Sequence, residues 1–286
     1  MMMKSYILSI QSIKPLLILI TFFGIVFDAT AQYYKPNTEV GFLLGTSYYL
    51  GDLNTTHFNN SSVAAGLIIR KNIDRRFSYK TELLYLNIAA DDRNNPTDKI
   101  AVDRGLHFKS PVYELSGQIE FNFLPYEKSN PLYTWTPFIY TGVSLFHFNP
   151  QAENKNGEWV DLQALGTEGQ GTTLFPDNKE YSLIQFAIPM GLGVKIAVNP
   201  SFNIILEYGI RKTFTDYLDD VSTIFVAENG SYPLDMNQED AIEMSDPTGT
   251  HVYGDQRGNP NKKDWYSFAG ITLSFKLNNN TKGCDY

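Results

Sequence analysis

Few residues of this chain could do chemistry, and their spacing argues against most of it. The histidines His57, His107, His147 and His251 fall in different segments, without the short intervals of a metal site. Asp216, Asp219 and Asp220 directly follow a strand-like segment, where an outer-membrane protease or phospholipase could hold its acids. No His or activated Ser is signalled beside them, so solvated loop carboxylates are the expectation. The acidic run 239–246, with Asp255 beyond it, could draw a divalent cation but lacks the register of a calcium loop. A Gly-rich phosphate loop is missing from the sequence, and its one cysteine, Cys284, has no partner for an internal disulfide. The residues thus point to no catalytic, cofactor or metal site.

A second set of charges is patterned differently. Lys80, Glu82, Glu114, Glu120, Lys195, Glu207 and Arg211 all fall on the polar side of segments whose side chains alternate in polarity. In segment 113–123, Tyr113, Leu115, Gly117, Ile119, Phe121 and Phe123 share one face, opposite Glu114, Ser116, Gln118, Glu120 and Asn122. Strand side chains alternate with period two, so this is one oily face and one polar face. Segments 186–198 and 202–214 repeat the pattern, with Lys195 on the polar side of the first and Glu207 and Arg211 on that of the second. Weaker versions cover 40–50, 63–69 (with Gly66 and Arg70 on its polar side), 77–88, 138–148 and 266–277. In 138–148 the phase is ambiguous, and the small Gly142 and Ser144 suggest that Ile139, Val143 and Leu145 face outward.

Eight segments is an even number, and their connections alternate in length. Stretches 51–62, 89–111, 149–182 and 216–264 are long or polar, whereas 71–76, 125–136 and Asn199-Pro200-Ser201 are shorter. Tight turns at one rim and long loops at the other belong to an outer-membrane barrel. A soluble sandwich or lipocalin-like barrel also alternates, but its polar face meets water and carries many charges. Here Gly, Ser, Thr, Gln and Asn dominate that face, and the sparse charges have both signs. Such a face suits the lumen of an eight-stranded barrel, which is just wide enough for side chains to fill. The seven charges, three cations and four anions, are expected to pair there, because an unpaired buried charge is costly. The fold class expected is therefore all-β: an eight-stranded antiparallel transmembrane barrel with long extracellular loops, short periplasmic turns and a filled interior.

The N-terminus supplies the export signal such a protein needs. Lys4 and Lys14 precede an apolar run over 15–27, which ends in Ala29-Thr30-Ala31. That run is too short for a membrane helix of roughly 20 residues and fits a leader with a small-x-small exit. The reading is a signal peptide over 1–31, a barrel over 32–277 and a periplasmic tail over 278–286, with a single-pass anchor as the alternative for the leader. The chain carries a net charge of −8 and becomes about one unit more negative without Lys4, Lys14 and Asp28. Nucleic acid is a poor partner for such a surface. Abundant aromatics, 18 Tyr and 19 Phe, would serve the belts at the two faces of a bilayer.

Two loop stretches look less like filler. Leu165-Gly166-Thr167-Glu168-Gly169-Gln170-Gly171 mixes an apolar residue with glycines that permit close packing or positive φ. Thr215-Asp216-Tyr217-Leu218-Asp219-Asp220 carries segment 202–214 into the longest loop. Either could fold back over a barrel mouth or hold a partner.

These two runs (LGTEGQG and RKTFTDYLDDVS), with the strand GFLLGTSYYLGDLN and the strand GLGVK, resemble the PorG-type family of outer-membrane β-barrels. The resemblance covers about 39–284, and its loop motifs are more specific than its strands. It implies a non-enzymatic component of the type IX protein secretion (gliding) machinery, associated with a periplasmic ring of PorK and PorN type. A general structural or adhesin-like barrel with another partner is the alternative. A catalytic role would require a cluster of His with Asp or Ser on the loop face. The resemblance also makes the ring lipoprotein the natural partner if Cys284 forms an intermolecular disulfide; the other reading is a free thiol in the tail.

Overall fold

Period-two alternation builds strands with one apolar and one polar side, and a sheet of such strands hides its polar side by closing on itself. The computed structural model describes residues 34–94, 99–227, 232–233, 236 and 239–277. The leader and the tail with Cys284 lie outside the described residues. From Pro36 onward the chain forms one compact unit.

Its strands are β1 (Asn37–Leu50), β2 (Ser62–Asn72), β3 (Phe77–Asp91), β4 (His107–Asn122), β5 (Trp135–Phe148), the short β6 (Gln151–Glu153) and β7 (Trp159–Asp161), then β8 (Ile184–Ala197), β9 (Phe202–Thr213) and β10 (Trp265–Leu277). Every neighbouring pair in the order β1-β2-β3-β4-β5-β8-β9-β10 is antiparallel. Pairing of β10 with β1, from Thr38↔Leu277 to Leu50↔Trp265, closes the ring. The protein is thus a closed eight-stranded antiparallel barrel, nearly all-β. Two short helices, α1 (Lys99–Arg104) and α2 (Glu239–Ser245), and the β6–β7 hairpin lie in its long loops.

Loop length divides the rims as the sequence suggests. One rim holds both ends of the barrel chain and the connections 73–76, 123–134 and 198–201; the other holds 51–61, 92–106, 149–183 and 214–264. On the outer wall Phe42, Leu67, Leu83, Leu115, Val143, Leu192, Leu206 and Ile271 are all exposed. The ambiguous segment in β5 turns Ile139, Val143 and Leu145 outward. Charged side chains on this wall occur only near strand ends, at Lys71, Asp91, Lys109 and Lys212. Aromatic rings gather at both rims. Phe77–Phe121 and Phe202–Phe275 lie near the short turns, with centroids 5.3 and 4.9 Å apart, and Tyr85–Tyr113 lies toward the long loops at 5.2 Å. An apolar band between aromatic girdles is the surface that a barrel presents to lipid.

Inside, glycine makes room for large side chains. A Cβ at Gly191 would lie 2.4 Å from the Tyr140 ring, and one at Gly209 would lie 2.1 Å from the Tyr140 hydroxyl and 2.4 Å from Arg211 Nη1. The lumen has two tiers. Toward the short turns it is polar and charged. Toward the long loops Leu84, Leu86, Ile88, Phe146, Phe148 and Phe268 form an apolar tier, continuous with Leu53, Leu162, Leu218 and Val221 of the loops.

Candidate functional site

All seven charges singled out by alternation project into the lumen and are buried. Arg211 is a hub of the charged tier. Its Nε and Nη2 each donate to Glu114 at 3.0 Å, and Nη2 also reaches Glu82 at 2.9 Å. The Tyr266 hydroxyl donates to Glu114 at 2.6 Å. Lys80 lies 2.8 Å from Glu82 and 3.0 Å from Glu207, while Lys195 donates to Glu120 at 2.6 Å. Aromatic rings are also used: Lys80 lies 4.5 Å from the Tyr140 centroid and Arg211 4.5 Å from that of Phe268.

The structure adds three members. Arg70 makes a two-pronged pair with Glu120 at 2.8 and 3.0 Å and approaches Glu39 at 3.6 Å. Lys128 enters from the turn between β4 and β5 and closes the lower end on Glu39 at 2.9 Å. Within the lumen, five buried cations (Arg70, Lys80, Lys128, Lys195, Arg211) then face five buried glutamates (Glu39, Glu82, Glu114, Glu120, Glu207) among the described residues. Arg70 and Glu39 were within reach of the alternation argument, since both lie in phase with polar neighbours. Lys128 was not, because it comes from a turn.

The loop face is where expectation and structure part. Asp216, Asp219 and Asp220 are not solvated: they are 2%, 1% and 1% exposed. The described part of the 214–264 loop folds back over the mouth and carries them under a cap, so burial replaces the expected hydration. The two loop motifs meet in that cap. Thr167 donates to one Asp220 oxygen, and the Tyr181 hydroxyl donates to the other at 2.7 Å. Glu168 accepts the amides of Ser222 and Thr223 at 2.8 and 3.1 Å and pairs with Arg257 at 3.0 Å. Tyr217 stacks on Tyr181 at 4.6 Å, and Leu218 packs into the apolar tier. Gly166, Gly169 and Gly171 all have positive φ, so the glycines of the first motif set its path. Leu165 packs beside the core, and Gln170 turns back to accept the Glu168 amide at 2.8 Å.

One knot in the cap retains a proton. The Tyr49 hydroxyl lies 2.5 Å from Asp219 Oδ2 and 2.9 Å from Asp264 Oδ1. Each acid's other oxygen already accepts a backbone amide, from Val221 at 3.0 Å and from Leu218 at 2.9 Å. A phenol has one proton to donate, so one of the two acids keeps its own and donates it to the tyrosine oxygen. Burial pushes Asp219 and Asp264 well above the usual carboxylate range, and for Asp264 the charge of Asp219 adds to it. Burial also lifts Asp216 and Asp220 to about 6, against the Ser222 hydrogen bond at the first and the Arg257 charge at the second.

Raised carboxylates bind protons more tightly folded than unfolded, so their contribution is fully present below the unfolded value near 4. It is lost as pH rises through about 6 and beyond. Beyond the intrinsic rise of hydrogen exchange with pH, amides 215–223 are expected to speed up by about a further ten-fold from pH 5 to pH 8, the effect of one pKa unit. Exchange in the β-strands should follow only the intrinsic pH dependence. With Asp219→Asn the extra acceleration should shrink; an equal acceleration in that variant would rule the knot out.

His251 lies 3.0 Å from Asp246 Oδ1 through Nδ1, and its ring stacks on Phe225 at 3.9 Å. Thr248 approaches the same Nδ1 at 3.4 Å. A catalytic triad needs the acid and the nucleophile on opposite ring nitrogens. The run 239–246 forms α2 and its end, and among the described residues no group of three acids, His or Cys is placed to hold a metal ion.

A family model described as Domain of unknown function (DUF6089) matches residues 14–166, more than half of the chain. No curated protein matches the sequence. Among solved structures, the chain is similar to Neisserial surface protein A (NspA) at 8% identity and a TM-score of 0.42, over 85% of this chain and 100% of that one. It is similar to Ail of Yersinia pestis at 7% identity and a TM-score of 0.38, over 85% and 97%. OprG from Pseudomonas aeruginosa gives 12% identity and a TM-score of 0.36, over 84% and 95%.

Proposed function

The chain belongs to the DUF6089 family, and we propose that it is a non-enzymatic outer-membrane barrel, exported on the leader 1–31, that anchors a protein secretion machine of type IX kind to the membrane. One observation carries the reading: the lumen is filled by ten paired charges at one level and sealed by packed loops at the other. Such a barrel offers lipid an oily wall and offers solutes no path, which suits an anchor better than a porin. Its periplasmic partners are ring proteins of PorK and PorN type, a choice that rests on the resemblance of the loop and strand motifs to PorG. Cross-linking in intact cells, followed by affinity capture from solubilised membranes, tests it. Ring proteins should be the main partners by mass spectrometry; capture of the barrel alone, or with unrelated envelope proteins, would favour a general structural or adhesin-like barrel.

Cys284 gives the reading a covalent test. The tail follows β10, whose end lies at the rim of the short turns, so it enters the periplasm if that rim faces inward. A lone cysteine in an oxidising compartment pairs with another chain or stays free. Under this proposal a non-reducing gel of whole membranes shows a mixed-disulfide band that collapses with reductant and vanishes in Cys284→Ser. A monomer alone, with the thiol open to an impermeant reagent once the outer membrane is breached, rejects the covalent link.

A further inference from the structure

Two hollows adjoin on the loop face. One, of about 460 Å³, lies between the upper ends of β3 and β4 and the β6–β7 hairpin, lined by Asn60, Asn87, Lys109 and Trp159. The second, of about 440 Å³, runs between the hairpin, α1 and α2, past Asn154, Lys155, Glu243 and Thr248. Arg93, His107 and Glu153 line both, so the two make one groove. Each volume lies within the ~300–1,000 Å³ range of small-ligand clefts.

The lining chemistry is mixed. Arg93, Lys109 and Lys155 are balanced by Asp91, Glu153 and Glu243, and amides stand between them. Arg93 holds Asp91 through two hydrogen bonds of 2.8 Å, which fixes a planar array of donors and acceptors at the groove's centre. His107 Nε2 accepts the Glu153 amide at 3.1 Å, so the neutral ring carries its proton on Nδ1, a buried donor with no partner among the described residues. Trp159 is 43% exposed on the hairpin, with the Lys109 ammonium 3.2 Å from its ring centroid.

We infer that this groove binds a neutral oligosaccharide. Sugar hydroxyls both donate and accept, and an array of alternating amides, carboxylates and cations meets both needs. Lys109 takes one face of the indole, and the exposed remainder of the ring, part of the groove's lining, offers an apolar platform for the C–H face of a pyranose ring. Zero net charge along the lining, on a chain of −8 overall, disfavours sulfated or phosphorylated polymers.

The test uses the full barrel in lipid nanodiscs, titrated calorimetrically with maltotetraose, cellotetraose, chitotetraose and mannotetraose. At least one should bind saturably. Trp159→Ala and Arg93→Gln should each weaken that sugar ten-fold or more, and Trp265→Phe should leave it unchanged. Arg93 is largely exposed, at 59% of its side chain, so its variant tests the groove even if the tryptophan variant misfolds. No binding up to about 10 mM, where affinity falls below roughly 3 kcal/mol, overturns the inference. So does binding indifferent to both substitutions, or binding of dextran sulfate with none of the four neutral sugars. No periplasmic partner takes part, so the result stands apart from the secretion reading.

Discussion

Replacing Arg211 with Met is expected to cost about 3–5 kcal/mol of barrel stability, the largest single effect in the lumen. The guanidinium is fully buried and serves both Glu114 and Glu82. Its removal leaves Glu114 with the Tyr266 hydroxyl alone, while Glu82 keeps Lys80. The loss is therefore mostly the penalty of a stranded carboxylate rather than the worth of the pair. That distinction has a consequence: Arg211→Met combined with Glu114→Gln should be less damaging than Arg211→Met alone, because the neutral amide no longer needs the cation. Urea unfolding of the refolded barrel in lipid vesicles reads both. If the single variant unfolds within about 0.5 kcal/mol of the wild type, as an ordinary surface change would, the buried network is not as described.

Leu192→Arg probes the opposite wall. Leu192 is 58% exposed in the middle of β8, paired with Ile139 on one side and Tyr208 on the other. An arginine there faces hydrocarbon and should cost about 2–4 kcal/mol if the site lies near the bilayer midplane. Gln118→Arg tests the same chemistry on the inner side. Gln118 is fully buried and donates to Ser116 at 2.7 Å, so a larger charged group must crowd the lumen instead. The two variants separate by environment: Leu192→Arg should recover in detergent micelles, which let the side chain reach water, and Gln118→Arg should not. Unchanged stability of Leu192→Arg in lipid would reverse the assignment of faces.

The strands were legible because a closed barrel leaves its mark residue by residue. Alternation placed 113–123, 186–198 and 202–214 with the right face outward, and even the ambiguous β5 followed from the size of Gly142 and Ser144. Most of the lumen charges were legible for the same reason. What alternation cannot give is contact between segments far apart in the chain. Lys128 reaches Glu39 from a turn, and Tyr49, Asp219 and Asp264 meet across separations of up to 215 positions. The acids of the TDYLDD motif look like solvated loop residues in sequence because nothing local announces the cap that buries them. Only the folding back of a long loop onto the apolar tier, led by Leu218 and Val221, makes them internal.

That packed tier and the charge network beneath it make one joint claim: the barrel is a plug in the membrane. Planar-bilayer recording of the purified protein tests it most directly. A lumen sealed by Arg211, Lys80 and Lys195 with their glutamates, and by the loop cap above, passes no ions, and insertion should give no stable conductance steps. A steady, porin-like conductance in the wild-type protein would contradict the filled barrel and the anchoring role built on it.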